Sequence, residues 1–60
     1  MNNRIKILLV EDEKMLAEIL SDTLSDRNFD VRLAYDGIHA LEAIKKESFD
    51  VIVSDVMMPN

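Results

Sequence analysis

Two short stretches decide the fold: ILLVEDE at residues 7–13 and VIVSDVMMP at residues 51–59. In each stretch, an apolar run rich in branched side chains ends in a carboxylate. Such runs are typical of strands that are buried on both faces of a parallel sheet. If the two strands lie side by side and parallel, their acids meet at one edge of the sheet. Because clustered carboxylates repel one another, we expect a cation between them.

The rest of the chain alternates between extended and helical patterns. These patterns predict strands at 5–10, 30–35 and 51–54 and helices at 14–26 and 38–46. Each helix carries apolar residues at a period close to 3.6, so we expect each to bury one face. The positions predicted to be buried are Met15, Leu16, Ile19, Leu20 and Leu24 in the first helix and Ile38, Leu41 and Ile44 in the second, with Ala40 beside this second stripe.

The predicted helix ends carry recognisable capping residues. Asp12 or Glu13 can cap the first helix, where an anion is favoured. Asn28 can take the left-handed position after the last turn, with Phe29 as its hydrophobic partner. Asp36 precedes the glycine of a predicted turn and is expected to cap the second helix.

Alternating strands and helices imply parallel strands joined by right-handed crossovers. Periodicity alone does not choose between the strand orders 2-1-3 and 1-2-3. The placement of the acids favours 2-1-3, because the crevice then opens where strands one and three end, at Glu11, Asp12 and Asp55. Arg32 in the second strand suggests an edge position.

Composition restricts the function. Sixty residues permit one small domain, and the absence of cysteine excludes disulfides and thiolate zinc sites. A net charge of −5 argues against this segment itself binding nucleic acid or an anionic membrane. Glu11 interrupts the first apolar run too early for a secretory signal or a membrane span. We therefore expect a soluble, cytoplasmic protein.

The acids at the strand ends suggest metal-assisted phosphoryl chemistry. Asp12 and Asp55 offer two hard oxygen ligands, and the loop after Asp55 can add a backbone carbonyl, which suits Mg²⁺. Asp55 could also act as a nucleophile toward phosphorus. The competing interpretation is structural, since acids after strands are often helix caps, and we expect that role for Glu13. His39 is expected on a helix surface, and Met57 is expected to fill space rather than to ligate through its side chain.

Residues 7–13, the Asp36-Gly37 turn with its alanine-containing helix, and residues 50–59 closely resemble the receiver domain of two-component response regulators. The resemblance implies a flavodoxin-like (CheY-like) three-layer α/β sandwich. For this chain, the resemblance implies the sandwich truncated to β-α-β-α-β, with an expected parallel strand order of 2-1-3. Residues 1–60 would form the N-terminal half of the receiver, which accepts a phosphoryl group from a histidine kinase.

Carried over by position, the resemblance implies a role for each acid. Asp55 looks like the phosphoacceptor, and Asp12 looks like the direct Mg²⁺ ligand. Glu11 would ligate through water or support the site, and the backbone carbonyl of Met57 would be the third protein ligand. Receivers have five strands and five helices, with a hydroxyl residue after strand four and a lysine after strand five. We expect this chain to carry the acceptor and metal acids without the rest of the switch.

Two other function classes compete with the receiver. An aspartate-nucleophile phosphatase commonly has an acid two residues after the nucleophile, but position 57 is Met, so we expect no enzyme. The third possibility is a half-domain whose main behaviour is association. Val51, Ile52 and Val53 have the composition of a buried central strand, yet the order 2-1-3 places them at an edge. We therefore expect a homodimer or another form of self-association.

Overall fold

The structure, a computed structural model, describes residues 4–54. The helices and strands that the sequence predicts are all present, and each bound differs from its predicted position by at most one residue. The elements are β1 (Lys6–Val10), α1 (Lys14–Asp26), β2 (Asp30–Ala34), α2 (Gly37–Lys46) and β3 (Val51–Ser54). Between residues 4 and 54, neither helix is long and apolar enough to cross a membrane.

The three strands form one parallel sheet in the order β2-β1-β3, which confirms the predicted order. Leu8 in the central strand lies opposite Arg32 of β2 and Ile52 of β3. At the carboxyl ends, Val10 lies opposite Ser54. Arg32 therefore belongs to an edge strand, as its charge predicts.

The core lies on the two faces of β1. On one face, Leu8 and Val10 pack with small residues of β2 and α2, and the partly buried Phe49 packs against this cluster. Side chains alternate along a strand, so Ile7 and Leu9 point to the opposite face, where α1 lies. This core is small, because it is built on the four buried residues of one central strand.

The end of α1 confirms the role predicted for Asn28. Its φ of 74° places Asn28 in the left-handed region. The Asn28 amide donates to the Ser25 carbonyl at 2.9 Å, and the Phe29 amide donates to the Leu24 carbonyl at 3.2 Å. This pair of bonds is a Schellman motif, and it satisfies carbonyls that the helix end would otherwise leave unpaired.

The start of α2 confirms the cap predicted at Asp36. The Asp36 carboxylate accepts a hydrogen bond from the His39 amide at 2.8 Å, and the His39 ring Nδ1 lies 2.7 Å from the same oxygen. These bonds, the backbone one foremost, lower the pKa of Asp36. His39 lies on the helix surface, as expected.

The predicted burial of the apolar faces is largely wrong. Ile38 is 71% exposed and Met15 is 73% exposed, and all of β3 is exposed. The helix residues that are buried are small: Ala17 of α1 and Ala40 of α2. Both helices lie over β1 and β2, and neither comes within 8 Å of β3 between Cα atoms. Other exposed large apolar residues are Ile5, Leu16, Ile19, Leu20, Leu41, Ile44, Val51, Ile52 and Val53.

An ion-pair cluster joins the amino-terminal end of the sheet to the carboxyl end of α2. Lys6 Nζ lies 2.7 Å from a Glu47 carboxylate oxygen, and Arg32 Nε lies 3.5 Å from the other oxygen. Arg32 also pairs with Asp30 at 2.8 Å. The Asp50 carboxylate accepts the Lys6 backbone amide at 2.8 Å. β1, β2 and the residue before β3 therefore all contribute to this charged cluster.

Glu47 should make folding depend on pH in the acid range. The hydrogen bond from Lys6 is the main cause that lowers the pKa of Glu47 below its ordinary value of 4.5. Its contribution to stability is therefore complete above pH 4.5 and is lost as the pH falls through the lower folded-state pKa. We expect Glu47→Gln to lose less unfolding free energy than the wild type between pH 7 and pH 3, as measured by urea unfolding. Glu42→Gln, an exposed change on α2, is the control and should show the same dependence of unfolding free energy on pH as the wild type.

Candidate functional site

The carboxyl ends of β1 and β3 form the candidate site. The register places Val10 opposite Ser54, so β1 and β3 end at the same edge of the sheet. Glu11 and Asp12 follow Val10, and Asp55 follows Ser54 in the sequence. Asp55 and Met57 lie outside the described residues, so their roles stay predictions.

Glu11 is the buried acid among the described residues of this edge. It is only 4% exposed, and its backbone amide donates to the Ala34 carbonyl of β2 at 3.0 Å. Its carboxylate accepts the Glu13 amide at 3.0 Å. A charged hydrogen bond of this kind fixes the side chain and orients the turn into α1. The sequence carries no signal for this contact, because glutamate has no established preference for bonding an amide two residues later.

The two acids that follow Glu11 are exposed and differ in role. Glu13 occupies the N-cap position of α1, but its side chain makes no capping hydrogen bond, so the predicted side-chain cap is wrong. Its backbone carbonyl accepts the Ala17 amide at 2.8 Å, which begins the helix. Asp12 lies between the buried Glu11 and the helix start, and its side chain faces solvent.

The donor chemistry of this edge fits Mg²⁺. Two carboxylates, Glu11 and Asp12, stand at the end of the central strand, and Mg²⁺ is commonly held by one or two carboxylates with several waters. Within residues 4–54 there is no cluster of three or more His, Cys, Asp or Glu residues that could hold a metal. The predicted Mg²⁺ site therefore depends on Asp55 and the Met57 carbonyl for its remaining ligands.

An open groove of about 280 Å³ begins beside Glu11. Side chains of α1 form one wall, β3 forms the other, and β1 forms the floor. Among residues 4–54, Glu11 is the one charged residue that lines this groove. The lining residues are Leu9, Val10, Glu11, Leu16, Leu20, Val53 and Ser54.

Known proteins are similar to this chain in sequence and in fold. The family described as "Response regulator receiver domain" matches residues 7–60. The response regulator ArlR of Staphylococcus saprophyticus is 44% identical over 55 residues, which cover 92% of this chain and 25% of that protein. The regulatory protein VanRc of Enterococcus gallinarum is 42% identical, over 92% of this chain and 24% of that protein.

A solved structure extends the likeness to three dimensions. The chemotaxis response regulator CheY4 of Vibrio cholerae has a TM-score of 0.88 and is 42% identical, covering 95% of this chain and 48% of that chain. The chain thus spans about half of that structure and about a quarter of the curated relatives it matches. The strand order β2-β1-β3 with helices on both faces is that of the flavodoxin-like fold. The chain belongs to the response regulator receiver domain family.

Proposed function

We propose that this chain is the phosphoacceptor module of a two-component system. Asp55 would accept a phosphoryl group from a histidine kinase, with Mg²⁺ held by Glu11, Asp12, Asp55 and the Met57 carbonyl. One observation carries the proposal: β1 and β3 are parallel neighbours whose carboxyl ends lie side by side. Glu11 and Asp12 follow Val10 in the sequence and Asp55 follows Ser54, so this strand pairing supports the proposed set of ligands.

The transfer itself is a displacement at phosphorus. A carboxylate oxygen of Asp55 would form a new P–O bond while the P–N bond to the kinase imidazole breaks, and the freed imidazole nitrogen takes up a proton. When bound, Mg²⁺ would reduce the repulsion between the acids and the phosphoryl oxygens. Asp12 would provide a ligand at the solvent side, and Glu11 would hold the turn into α1 in place.

The proposed partner and cell compartment follow from the family membership, and the net charge restricts what else this segment would bind. The partner of the whole protein would be a histidine kinase, and the compartment would be the cytoplasm. Because the net charge is −5, this segment would not itself contact nucleic acid or a membrane. We also propose that it has no enzymatic turnover of its own, since Met57 stands where the phosphatase pattern needs an acid.

The test is labelling by a small acyl phosphate with Mg²⁺, followed by intact-mass measurement. We expect the mass of one phosphoryl group, lost completely in Asp55→Ala and on chelation of the metal. Asp22→Ala, an exposed change on α1, should label like the wild type. Labelling should be slower than that of a full-length receiver, because the family's hydroxyl and lysine contacts are not among these 60 residues. Labelling that persists in Asp55→Ala would contradict the proposal.

A further inference from the structure

The same three residues, Phe-Asp-Val, lead into both strands that flank β1. The aspartate of the first copy is Asp30, at the start of β2, and that of the second copy is Asp50, just before β3. Both aspartate amides donate to a carbonyl at the amino-terminal end of β1: Asp30 to Ile5 at 2.9 Å and Asp50 to Lys6 at 2.8 Å. The backbones therefore enter the sheet in a similar way on the two sides of β1.

The two aspartate side chains are used differently. The Asp30 carboxylate pairs with Arg32 of its own strand at 2.8 Å. The Asp50 carboxylate instead accepts the backbone amide of Lys6 at 2.8 Å. Because the Asp50 amide also donates to the Lys6 carbonyl, this one residue binds both the amide and the carbonyl of a single β1 residue. Asp50 is therefore held at one position along β1 by its side chain as well as by its backbone.

The Lys6 side chain holds the same part of the chain. Its Nζ lies 2.7 Å from a Glu47 carboxylate oxygen and 6.0 Å from the centroid of the Phe49 ring, which is within reach of a cation–π contact. Residues 47–50 connect α2 to β3. Lys6 therefore contacts this connection through Glu47, Phe49 and Asp50, so that β3 starts from a segment fixed to the first residue of β1.

The apolar residues of β3 do not select its register by themselves. A slip of one residue usually carries polar side chains onto a buried face, and this cost specifies the register of a strand. Val51, Ile52 and Val53 are consecutive branched apolar residues, so a slip exchanges one such side chain for another. The paired hydrogen bonds of Asp50 are the polar contact that favours the observed register, in which Ile7 lies opposite Val51.

We propose that Asp50 is a positioning residue for the phosphoacceptor: its two hydrogen bonds to Lys6 fix where β3 lies along β1. The proposal rests on the proposed function, in which Asp55 accepts the phosphoryl group. A slip of one residue moves a strand about 3.3 Å along its neighbour. Asp55 is bonded to Ser54, the last residue of β3, and would be displaced with it. Because a misplacement of about 1 Å can slow a reaction about a hundredfold, the placement of β3 would control the rate of transfer.

Three variants separate the length of the Asp50 side chain from its charge. The readout is the rate of labelling by saturating acyl phosphate and Mg²⁺, divided by the folded fraction from urea unfolding. Asp50→Ala removes the acceptor for the Lys6 amide and should label about tenfold more slowly or worse. Asp50→Asn keeps the length and an acceptor oxygen, so it should recover most of the rate. Asp50→Glu keeps the charge but adds a methylene, so it should recover less than Asp50→Asn.

The same three substitutions at Asp30 are the matched control. Asp30 has the same neighbours in the sequence and the same amide bond to the end of β1, but its carboxylate binds Arg32 within β2. Its variants should therefore label like the wild type per folded molecule.

Nuclear Overhauser cross-peaks between β1 and β3 report the register without any phosphodonor. The cross-peaks between Ile7 and Val51 should persist in Asp50→Asn and should be lost or replaced in Asp50→Ala. The proposal requires both this change and the slower labelling in Asp50→Ala, and either result alone overturns it. Equal losses of labelling per folded molecule in Asp50→Ala and Asp30→Ala overturn it as well, because they would reduce Asp50 to a residue that stabilises the fold.

Two further outcomes keep the test decisive. If Asp50→Ala does not fold, the order of the other two variants decides: a higher labelling rate in Asp50→Glu than in Asp50→Asn would assign the effect to charge and overturn the proposal. A wild type that is not labelled, or labelling that persists in Asp55→Ala, would refute the proposed function and the positioning role together. Wild-type labelling that needs Asp55 but not Asp50 would refute the positioning role alone.

Discussion

Leu8→Ala is expected to leave the chain mostly unfolded at 25 °C. Leu8 is fully buried in the central strand, where it packs with Val10, Ala34 and Ala40. Truncating a buried leucine to alanine typically costs about 2–5 kcal/mol. A natural domain has about 0.05–0.15 kcal/mol of stability per residue, which for 60 residues is roughly 3–9 kcal/mol. Because a domain of 60 residues is marginally stable, its stability belongs near the lower end of that range, and the loss is comparable with the whole free energy of unfolding.

Circular dichroism and urea unfolding measure this effect against a matched control. Leu41→Ala makes the same chemical change on α2, where the side chain is 61% exposed. Surface substitutions usually change stability by less than about 0.5 kcal/mol, and alanine is the best helix former, so this variant should unfold like the wild type. Equal losses in the two variants would mean that the exposed face of α2 is covered in solution. A folded Leu8→Ala would show that the described core does not hold the chain together.

Local sequence signals predicted the elements of this fold accurately. Asn28 after α1 and Asp36 before α2 mark helix ends for reasons that act within a few residues: left-handed backbone geometry and an acceptor for an orphan amide. The strand order was also predictable, because the acids that follow β1 and β3 make sense together only if these strands are neighbours. Each of these inferences needs only short-range chemistry or the rules of parallel sheets.

Burial could not be predicted in the same way. Helical periodicity identifies a face that is apolar, but it does not state what the face packs against. Ile38 and Leu41 satisfy the pattern and are exposed, while Ala40 beside them makes the contact with the sheet. A small side chain lets the helix backbone approach β1 closely. β3 shows the same limit, because its apolar composition is typical of a covered strand and the described residues supply no cover.

The residue types of the candidate site were predictable from the sequence, but the positions of their side chains were not. Carboxylates at two strand ends indicated a cation site, but nothing in the sequence distinguished Glu11, which is buried, from Asp12, which is exposed. The distinction depends on the turn into α1, where the Glu13 amide reaches the Glu11 carboxylate. That contact gives Glu11 a structural role in addition to its proposed role near the metal.

Asp12→Asn is expected to weaken Mg²⁺ binding about tenfold or more, since even indirect changes around metal sites typically cost this much. The amide keeps the shape of the side chain but removes the anionic oxygen that Mg²⁺ prefers. Titration with Mg²⁺ at constant ionic strength, followed by backbone amide shifts, should move residues 11–13 first in the wild type. Asp22→Asn makes the same change on the exposed surface of α1 and should bind like the wild type. Shifts that are unchanged in Asp12→Asn, or confined to other acids, would refute the assignment.

Glu11→Gln separates the two roles of Glu11 in the same titration. The glutamine oxygen can still accept the Glu13 amide, so the turn into α1 should be retained and urea unfolding should change little. The negative charge is lost, so Mg²⁺ binding should weaken if the carboxylate acts on the metal directly or through water. Glu11→Ala removes both functions and should also destabilise the fold, because the amide loses its acceptor. A Glu11→Gln variant that binds Mg²⁺ like the wild type would restrict Glu11 to holding the turn and leave Asp12 as the ligand from β1.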